Sequence, residues 1–509
     1  MGSTTTQLTH PLRPFLKFRG VFRDDLPARA VYAEAAGIAR ATPLAIAVPV
    51  DAADVVALAR WSHETGTPLI PRGSGSSMSG GAVGNGVIVD LGRLDTIGPV
   101  ADGHIMVGPG AIRSRVDAAA ASVGLRFPVD PSSGAFCTIG GMTATNAAGA
   151  HSLLHGSMRP WVRSLDCVFA DGRREVIRRG VPHQWSETER LAVRKNSSGY
   201  YLGGDLIDLL VGSEGTLAFF VGIELALDPR PTTTTSMFAA FPTLETAVNG
   251  AATAREAGAA ACELLDKTFL DFAQAECPAG TEAVLLIEFE DSRSGLDLAE
   301  AGRVDIAREP EAQRAHWELR HAASPILNRL DPGLKSMQFI EDGCVPPARL
   351  ADYVRGVRTA LANQSVRGVI FGHAGDAHVH VNPLIDVRDG SWRDRVAALL
   401  ADVAALTARL GGTLTGEHGD GRLRTPLLDT VWHQSETLAR FAEVKRAFDP
   451  DHRLNPGVKV PLPGQQPLGD IKYDPALPPP PPAAARVLAR VERERAYATP
   501  RLTLLAENS

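Results

Sequence analysis

At 509 residues the chain exceeds the roughly 100 to 250 residues of one compact domain, so two large domains are expected. Hydrophobic residues at 44% and charged residues at 22% are ordinary globular usage, which excludes a wholly disordered, collagenous or coiled-coil chain. The 52 Lys and Arg against 58 Asp and Glu leave a net charge of −6, without the basic excess of a nucleic-acid binder.

In chain order, residues 1–39 read as an N-terminal extension. Its first segment, MGSTTTQLTHPLRPF, lacks the apolar core of a signal peptide, and no apolar run in the chain approaches the ~18 residues of a membrane span. The expected compartment is the cytoplasm, with peripheral membrane attachment left open. Residues 52–65 carry Val55, Val56, Leu58 and Ala59 at helical spacing, and Gly66 ends the helix. PLIPRGSGSS then reads as strand into loop, and short β-branched runs (GVIVDL, HIMVG, LDCVFADG, AFFVGIELAL) broken by glycine follow to Asp228. Two prolines and four threonines interrupt the pattern after Asp228, which places a domain boundary there. From Met237 strands alternate with long helices. One of these carries the stripe Val396, Leu399, Leu400, Val403, Leu406 and Leu410, stopped by Gly411 and Gly412. Residues 460–509 form a proline-rich tail, with a polyproline run at 478–482 and a short charged helix after it, expected to lie outside both cores. Cys137, Cys167, Cys262, Cys277 and Cys344 are scattered with no C-x-x-C pair, so neither a self-contained iron-sulfur cluster nor a disulfide framework is expected.

The loop at 71–81 (PRGSGSSMSGG) holds four glycines and four serines directly after a strand. Its backbone N–H groups and hydroxyls suit a diphosphate. A Rossmann reading would use Gly73, Gly75 and Gly80 with Asp95, but the third glycine comes two places late, and AVGNGVIVDL after it reads as turn and strand where a helix is required. A second glycine-rich block covers residues 127–149 and continues to Gly156 and Ser157; a third is Gly212-Ser-Glu-Gly-Thr216. In order and spacing the three blocks resemble the flavin-binding domain of the vanillyl-alcohol oxidase and para-cresol methylhydroxylase (PCMH) superfamily, over residues 40–228. The resemblance implies two α+β subdomains with extended FAD between them. Pro71, Arg72, Gly73, Ser74, Gly75, Ser76, Ser77 and Ser79 would lie at the pyrophosphate, with Thr138, Gly140, Gly141, Asn146, Gly149 and Ser157 along the isoalloxazine and ribityl chain, and Glu214 and Gly215 completing the site. Some members attach the flavin through a histidine at the place held here by Ser76, so non-covalent FAD is implied.

In residues 369–382 (VIFGHAGDAHVHVN), a hairpin turn at 374–377 would set His373 opposite His378, with His380 on the same face. Three imidazoles on one face make a plausible metal site, and Thr415-Gly-Glu417-His418-Gly419, expected on a neighbouring strand, supplies a carboxylate. In Trp317-Glu-Leu-Arg320-His-Ala-Ala-Ser324, Arg320 and Ser324 share a helix face. These residues resemble the C-terminal domain of FAD-linked 2-hydroxyacid dehydrogenases, the family of D-lactate, D-2-hydroxyglutarate and glycolate dehydrogenases. The resemblance implies a divalent metal, usually zinc, on His373, His380 and Glu417, a substrate contact at Asn382, a catalytic base of near-neutral pKa at His418, and a carboxylate clamp at Arg320. Lys335 stands at the distance of a second-carboxylate contact, although the segment after it is longer than the family's. The ending Leu454-Asn-Pro-Gly-Val-Lys459 also matches, adding Asn455 to the flavin site. The family usually has Asn where this chain has His378, which leaves an extra ligand or an outer-shell contact open.

The expected architecture is thus α+β: a two-subdomain PCMH-type FAD-binding domain (40–228) followed by an α+β FAD-linked oxidase C-terminal substrate domain (237–459). The expected activity is oxidation of a D-2-hydroxy acid to the 2-oxo acid. The chain shows no nicotinamide motif, so an external acceptor is expected: an electron-transfer flavoprotein, an iron-sulfur subunit or a membrane quinone, with the proline-rich tail read either as a docking element or as a disordered end. The rivals are a synthase of the alkyl-dihydroxyacetone-phosphate type and a non-catalytic electron-transfer subunit.

Overall fold

The computed structural model describes residues 17–293, 295–322, 331 and 333–508. The first sheet joins β1 (Val21–Arg23), β2 (Ala45–Val48), β3 (Leu69–Arg72) and β4 (Val87–Asp90) in the order β1-β2-β4-β3, with β2, β4 and β3 parallel. Its inner strands are apolar almost throughout because both faces are covered, as parallel sheets require. Ala45, Ala47, Val87 and Val89 meet Val55, Leu58 and Trp61 of the helix Ala52–Thr65. That helix starts where the Asp51 carboxylate accepts the N–H groups of Ala53 and Asp54 and ends on Gly66 at φ 71°.

The opposite face carries Ile46, Ile70 and Ile88, and here the expectation for the tail fails. Val487 and Val491 of the helix Pro482–Glu494, and Leu504 and Leu505 near the C-terminus, are buried against those isoleucines together with Val31 and Tyr32. Residues 460–509 therefore complete a core, because alternation along a parallel strand leaves a second apolar face that a surface tail would expose to water. Residues 17–39 likewise add an edge strand and the helix Leu26–Tyr32 to this layer.

The next strands are β5 (Ile97–Ala101), β6 (His104–Val107), β7 (Leu125–Arg126), β8 (Val162–Val168), β9 (Arg174–Arg178), β10 (Phe219–Ala226) and β11 (Asp228–Pro229). They form an antiparallel sheet, β5-β6-β10-β8-β9, and a short β7–β11 ribbon. The third sheet holds β12 (Thr235–Phe241), β13 (Ala261–Asp266), β14 (Ala283–Phe289), β15 (Arg303–Ala307), β16 (Leu334–Ser336), β17 (Gly343–Cys344), β18 (Arg367–His373) and β19 (His378–Asp386). Among the described residues its order is β15-β12-β14-β13-β18-β19-β16, with β17 also paired to β19. The helix Trp392–Arg409 buries the expected stripe of Val396, Leu399, Leu400, Val403 and Leu406, and Gly411 follows at φ 71°.

Val487, Val491, Leu504 and Leu505, the large apolar side chains that the tail buries in this layer, correspond to on the order of 6–12 kcal/mol of transfer free energy, comparable with the whole stability of a domain. Truncation after Lys459 is therefore expected to abolish soluble folded protein. Val487→Asp, which sets a carboxylate in the same layer, should cost on the order of 3–5 kcal/mol; unfolding midpoints equal to wild type would show that the tail helix is dispensable.

Candidate functional site

One cavity of about 1090 Å³ runs from the glycine-rich loop after β3 to the histidines of β18 and β19. At the first end it is lined by Pro71, Arg72, Gly73, Ser74, Gly75, Ser76, Ser77, Thr138, Gly140, Gly141, Gly149, Glu214 and Gly215. The backbone N–H groups of Gly73, Ser74, Gly75, Ser76 and Ser77 find no acceptor among the described residues, the state expected of a loop that cradles an anion. A side chain at Gly73 would strike Thr138 Oγ1 at 2.2 Å, and one at Gly215 would strike Pro71 at 2.2 Å. The cradle therefore depends on glycine for close packing, and its size and donors fit an extended dinucleotide.

The other predicted cofactor residues act from further away. Arg72 lines the cavity, but its buried guanidinium donates to the carbonyls of Tyr32, Glu34 and Ala82, clamping the loop. Ser79 donates to the His418 carbonyl at 3.1 Å. Asn455 donates to the carbonyls of Gly81 and Glu214. Asn146 and Ser157 line a second, smaller cavity of about 460 Å³. Ser79, Asn146, Ser157 and Asn455 are thus absent from the lining of the main cavity.

The far end is built on the β18–β19 hairpin. Ala374–Asp376 make the turn, Ala377 closes it at φ 53°, and the register sets His373 opposite His378 and Phe371 opposite His380, as the period of two predicts. Neighbouring β13 brings Glu263 opposite His373. The Glu263 carboxylate accepts from His373 Nδ1 and, at 2.6 Å, from Arg320 Nε. Burial would raise the Glu263 pKa, but His373 and Arg320 hold it far below the usual carboxylate range. Arg320, on the helix Pro310–His321, lies with its guanidinium 4.4 Å from the Phe371 ring centroid, and its two terminal nitrogens have no protein partner among the described residues. Ser324 lies outside the described residues. Asn382 and Lys335 line the same cavity.

Glu417 and His418 sit in an irregular loop rather than on the expected strand. The reason is Asp342: its carboxylate accepts the backbone N–H groups of Glu417 and His418, so the loop bonds to a side chain in place of a ladder. Glu417 Oε1 stands 3.5 Å from His373 Nε2 and 3.6 Å from His380 Nε2, while Oε2 accepts from Lys195 Nζ at 2.9 Å. The ligand atoms of His373, His378, His380 and Glu417 all lie within 4.8 Å of one another. Three imidazoles and a carboxylate so placed fit a divalent cation. His418 stacks on His380 at 5.5 Å between ring centroids. Burial lowers its pKa, but Asp342 at 3.7 Å and Glu341 at 3.2 Å outweigh that effect and push it up to about 9. A base near neutrality was expected, and the two buried carboxylates account for the difference.

Lys195, Glu263, Glu341, Asp342 and Arg424 hold this site together, and sequence reasoning missed all five. Lys195 had a faint signal in the segment Lys195-Asn-Ser-Ser-Gly-Tyr200. The acidic residues had none, since burial of a carboxylate depends on partners distant in sequence.

Comparison with known proteins agrees with this architecture. A model of the FAD binding domain matches residues 43–178, and one of the C-terminal domain of FAD linked oxidases matches residues 230–458. The chain belongs to the family of FAD-linked oxidases that carries these two domains. It is 32% identical to a D-lactate dehydrogenase of Archaeoglobus fulgidus over 81% of this chain and 90% of that one. It is 31% identical to the glycolate oxidase subunit GlcD of Bacillus subtilis over 86% and 93%. Among solved structures, an alkyldihydroxyacetonephosphate synthase superposes with a TM-score of 0.60 at 16% identity, covering 86% of this chain and 82% of that one; this likeness concerns the fold alone.

Among the described residues Glu263 is the one anion shared by Arg320 and His373. Glu263→Gln keeps the shape and removes the charge, so it should cost about 3 kcal/mol of stability. Denaturant unfolding of the purified variant measures this, and an unchanged midpoint would show that the carboxylate does not hold the pair.

Proposed function

We propose that the protein oxidises a D-2-hydroxy acid of the D-lactate, glycolate or D-2-hydroxyglutarate class to the corresponding 2-oxo acid. In this reading residues 40–228 hold FAD non-covalently and residues 237–459 hold the substrate and a divalent metal, with zinc the preferred ion. The observation that carries it is the convergence of Arg320, Asn382, His418, His373, His380 and Glu417 on one cavity continuous with the glycine-rich cradle.

The terminal nitrogens of Arg320 clamp the substrate C1 carboxylate as a two-pronged donor, while Glu263 fixes the guanidinium from behind. Asn382 offers an amide to the substrate oxygens. His418 is held by Glu341 through Nδ1, which leaves Nε2 to take the proton of the 2-hydroxyl. Bound FAD supplies the hydride acceptor for C2. A divalent cation on His373, His380 and Glu417 would supply a Lewis acid for the hydroxyl and a charge that weakens the hold of His418 on its own proton. Lys335, with its ammonium 5.2 Å from the Tyr473 ring centroid, gives an acid with a second carboxylate a cation in the same cavity. Among the described residues no helix is long and apolar enough to cross a membrane. A cytoplasmic enzyme that passes electrons to an electron-transfer flavoprotein, an iron-sulfur subunit or a quinone is the matching physiological setting. With its helices packed into a core, the tail no longer serves as a separable docking arm.

Anaerobic mixing of the FAD-loaded protein with a panel of D-2-hydroxy acids tests the reading. At least one should bleach the flavin and yield its 2-oxo acid; a flavin untouched by all of them would favour the synthase or the non-catalytic subunit. His418→Ala should retain bound FAD but slow anaerobic flavin reduction by about 100-fold or more, and wild-type reduction kinetics would remove His418 from the proton transfer.

A further inference from the structure

The three imidazoles of the β18–β19 hairpin each commit one ring nitrogen to an acceptor. His373 Nδ1 is held by Glu263, His380 Nδ1 lies 2.8 Å from the Glu341 carbonyl, and His378 Nε2 lies 2.8 Å from Asp342 Oδ1. Each of these contacts requires a proton on the committed nitrogen, so in the neutral ring the other nitrogen presents a lone pair. Those nitrogens, His373 Nε2, His378 Nδ1 and His380 Nε2, belong to a group whose ligand atoms, with that of Glu417, lie within 4.8 Å of one another.

His373 Nε2 and His380 Nε2 are 3.3 Å apart, Glu417 Oε1 is 3.5 and 3.6 Å from them, and Glu417 Oε2 is 3.8 Å from His378 Nδ1. Acceptors at these separations repel one another unless a proton or a cation lies among them. Around a tetrahedral ion with bonds of about 2.0–2.1 Å, ligand atoms stand roughly 3.3 Å apart, close to the spacing found. His378 makes the case specific. It is fully buried, and among the described residues its Nδ1 has no hydrogen-bond partner, a state that is costly in a folded protein. An orienting role toward Glu417 does not relieve this, because Nδ1 has no proton to give to a carboxylate. The Lys195 ammonium satisfies Glu417 Oε2, and among the described residues it makes no hydrogen bond to His378 Nδ1. Gly416 lies against the same ring, where a Cβ would stand 2.7 Å from Nε2, so the ring is held in place from behind as well as by Asp342.

We infer that His378 is a metal ligand through Nδ1, making the centre a three-histidine, one-carboxylate site. The inference rests on the proposed function for the presence of a metal and adds a ligand that the two-histidine reading of the family pattern does not contain. The Asp342–His378 pair is then the carboxylate–histidine support common behind metal-bound imidazoles. A nitrogen-rich set of this kind favours zinc or cobalt over magnesium, calcium or manganese.

The test uses the full-length FAD-loaded protein, stripped of metal with a chelator and reloaded with one equivalent of Zn²⁺ or Co²⁺. X-ray absorption on the zinc-loaded wild-type protein counts the imidazoles, and competition with a chromophoric chelator measures affinity for wild type and His378→Asn. Three imidazoles are expected. In the variant the zinc dissociation constant should rise by more than the roughly 10–100-fold that follows loss of an orienting partner, with flavin absorbance intact and the visible Co²⁺ spectrum altered. Two imidazoles in the wild-type protein, or equal affinity and an unchanged Co²⁺ spectrum in the variant, would overturn the inference while leaving the metal reading in place. A wild-type protein that takes up neither ion would overturn both. The imidazole count is made on wild type, so it decides the matter even where the variant does not fold.

Discussion

The candidate site depends on one buried anion. Asp342 has no exposed surface, and an isolated carboxylate so placed is prohibitively costly. It is offset by His378 Nε2, the Thr415 hydroxyl, the backbone N–H groups of Glu417 and His418, and Arg424. Burial pushes its pKa up, but His418, Arg424 and His378 together hold it far below the usual carboxylate range. The consequence is geometric. One carboxylate sets the tautomer of His378, the position of Glu417 and the charge around His418, so the metal cluster and the proposed base are organised by the same group.

A second set of contacts joins this assembly to the flavin half. The hairpin turn that carries His373 and His378 is tied down by Asp376, which accepts from Ser152 and Arg194. On the other side of the cluster Glu214 accepts the N–H groups of Asp420 and Gly421 and pairs with Lys459 at 3.1 Å. His151 bridges Asp130 and Glu288, and burial, which would lower its pKa, is outweighed by those two carboxylates, so it stays a cation well above neutrality. Charged residues at a domain interface are retained only when paired, and here the pairs run between the glycine-rich half and the histidine half. The cavity is therefore a property of the docked halves and would not survive in either one alone.

Much of the fold follows from local pattern. The helix Ala52–Thr65 has its Asp51 cap, its apolar stripe and its terminal Gly66 within a few residues of one another, and the stripe of Val396 to Leu406 reads in the same way. The tail does not. Its short helix was legible, but the apolar face it would cover belongs to strands more than 390 residues earlier, and its proline-rich approach resembles that of a solvated end.

The same division runs through the site. The sequence by itself determined the glycine-rich cradle and the placing of His373, His378 and His380 on one face, because glycine content, turn chemistry and the period of two are local properties of the chain. It also pointed to Arg320, Asn382, Glu417 and His418 through a family pattern. Tertiary structure alone decided that Glu263 meets His373 across 110 residues and that Asp342 meets the His418 backbone across 76. It alone left Nδ1 of His378 buried and without a hydrogen-bond partner among the described residues. A carboxylate's sequence neighbours do not reveal whether water or protein will surround it; that is settled only when distant strands and loops pack together and remove the water.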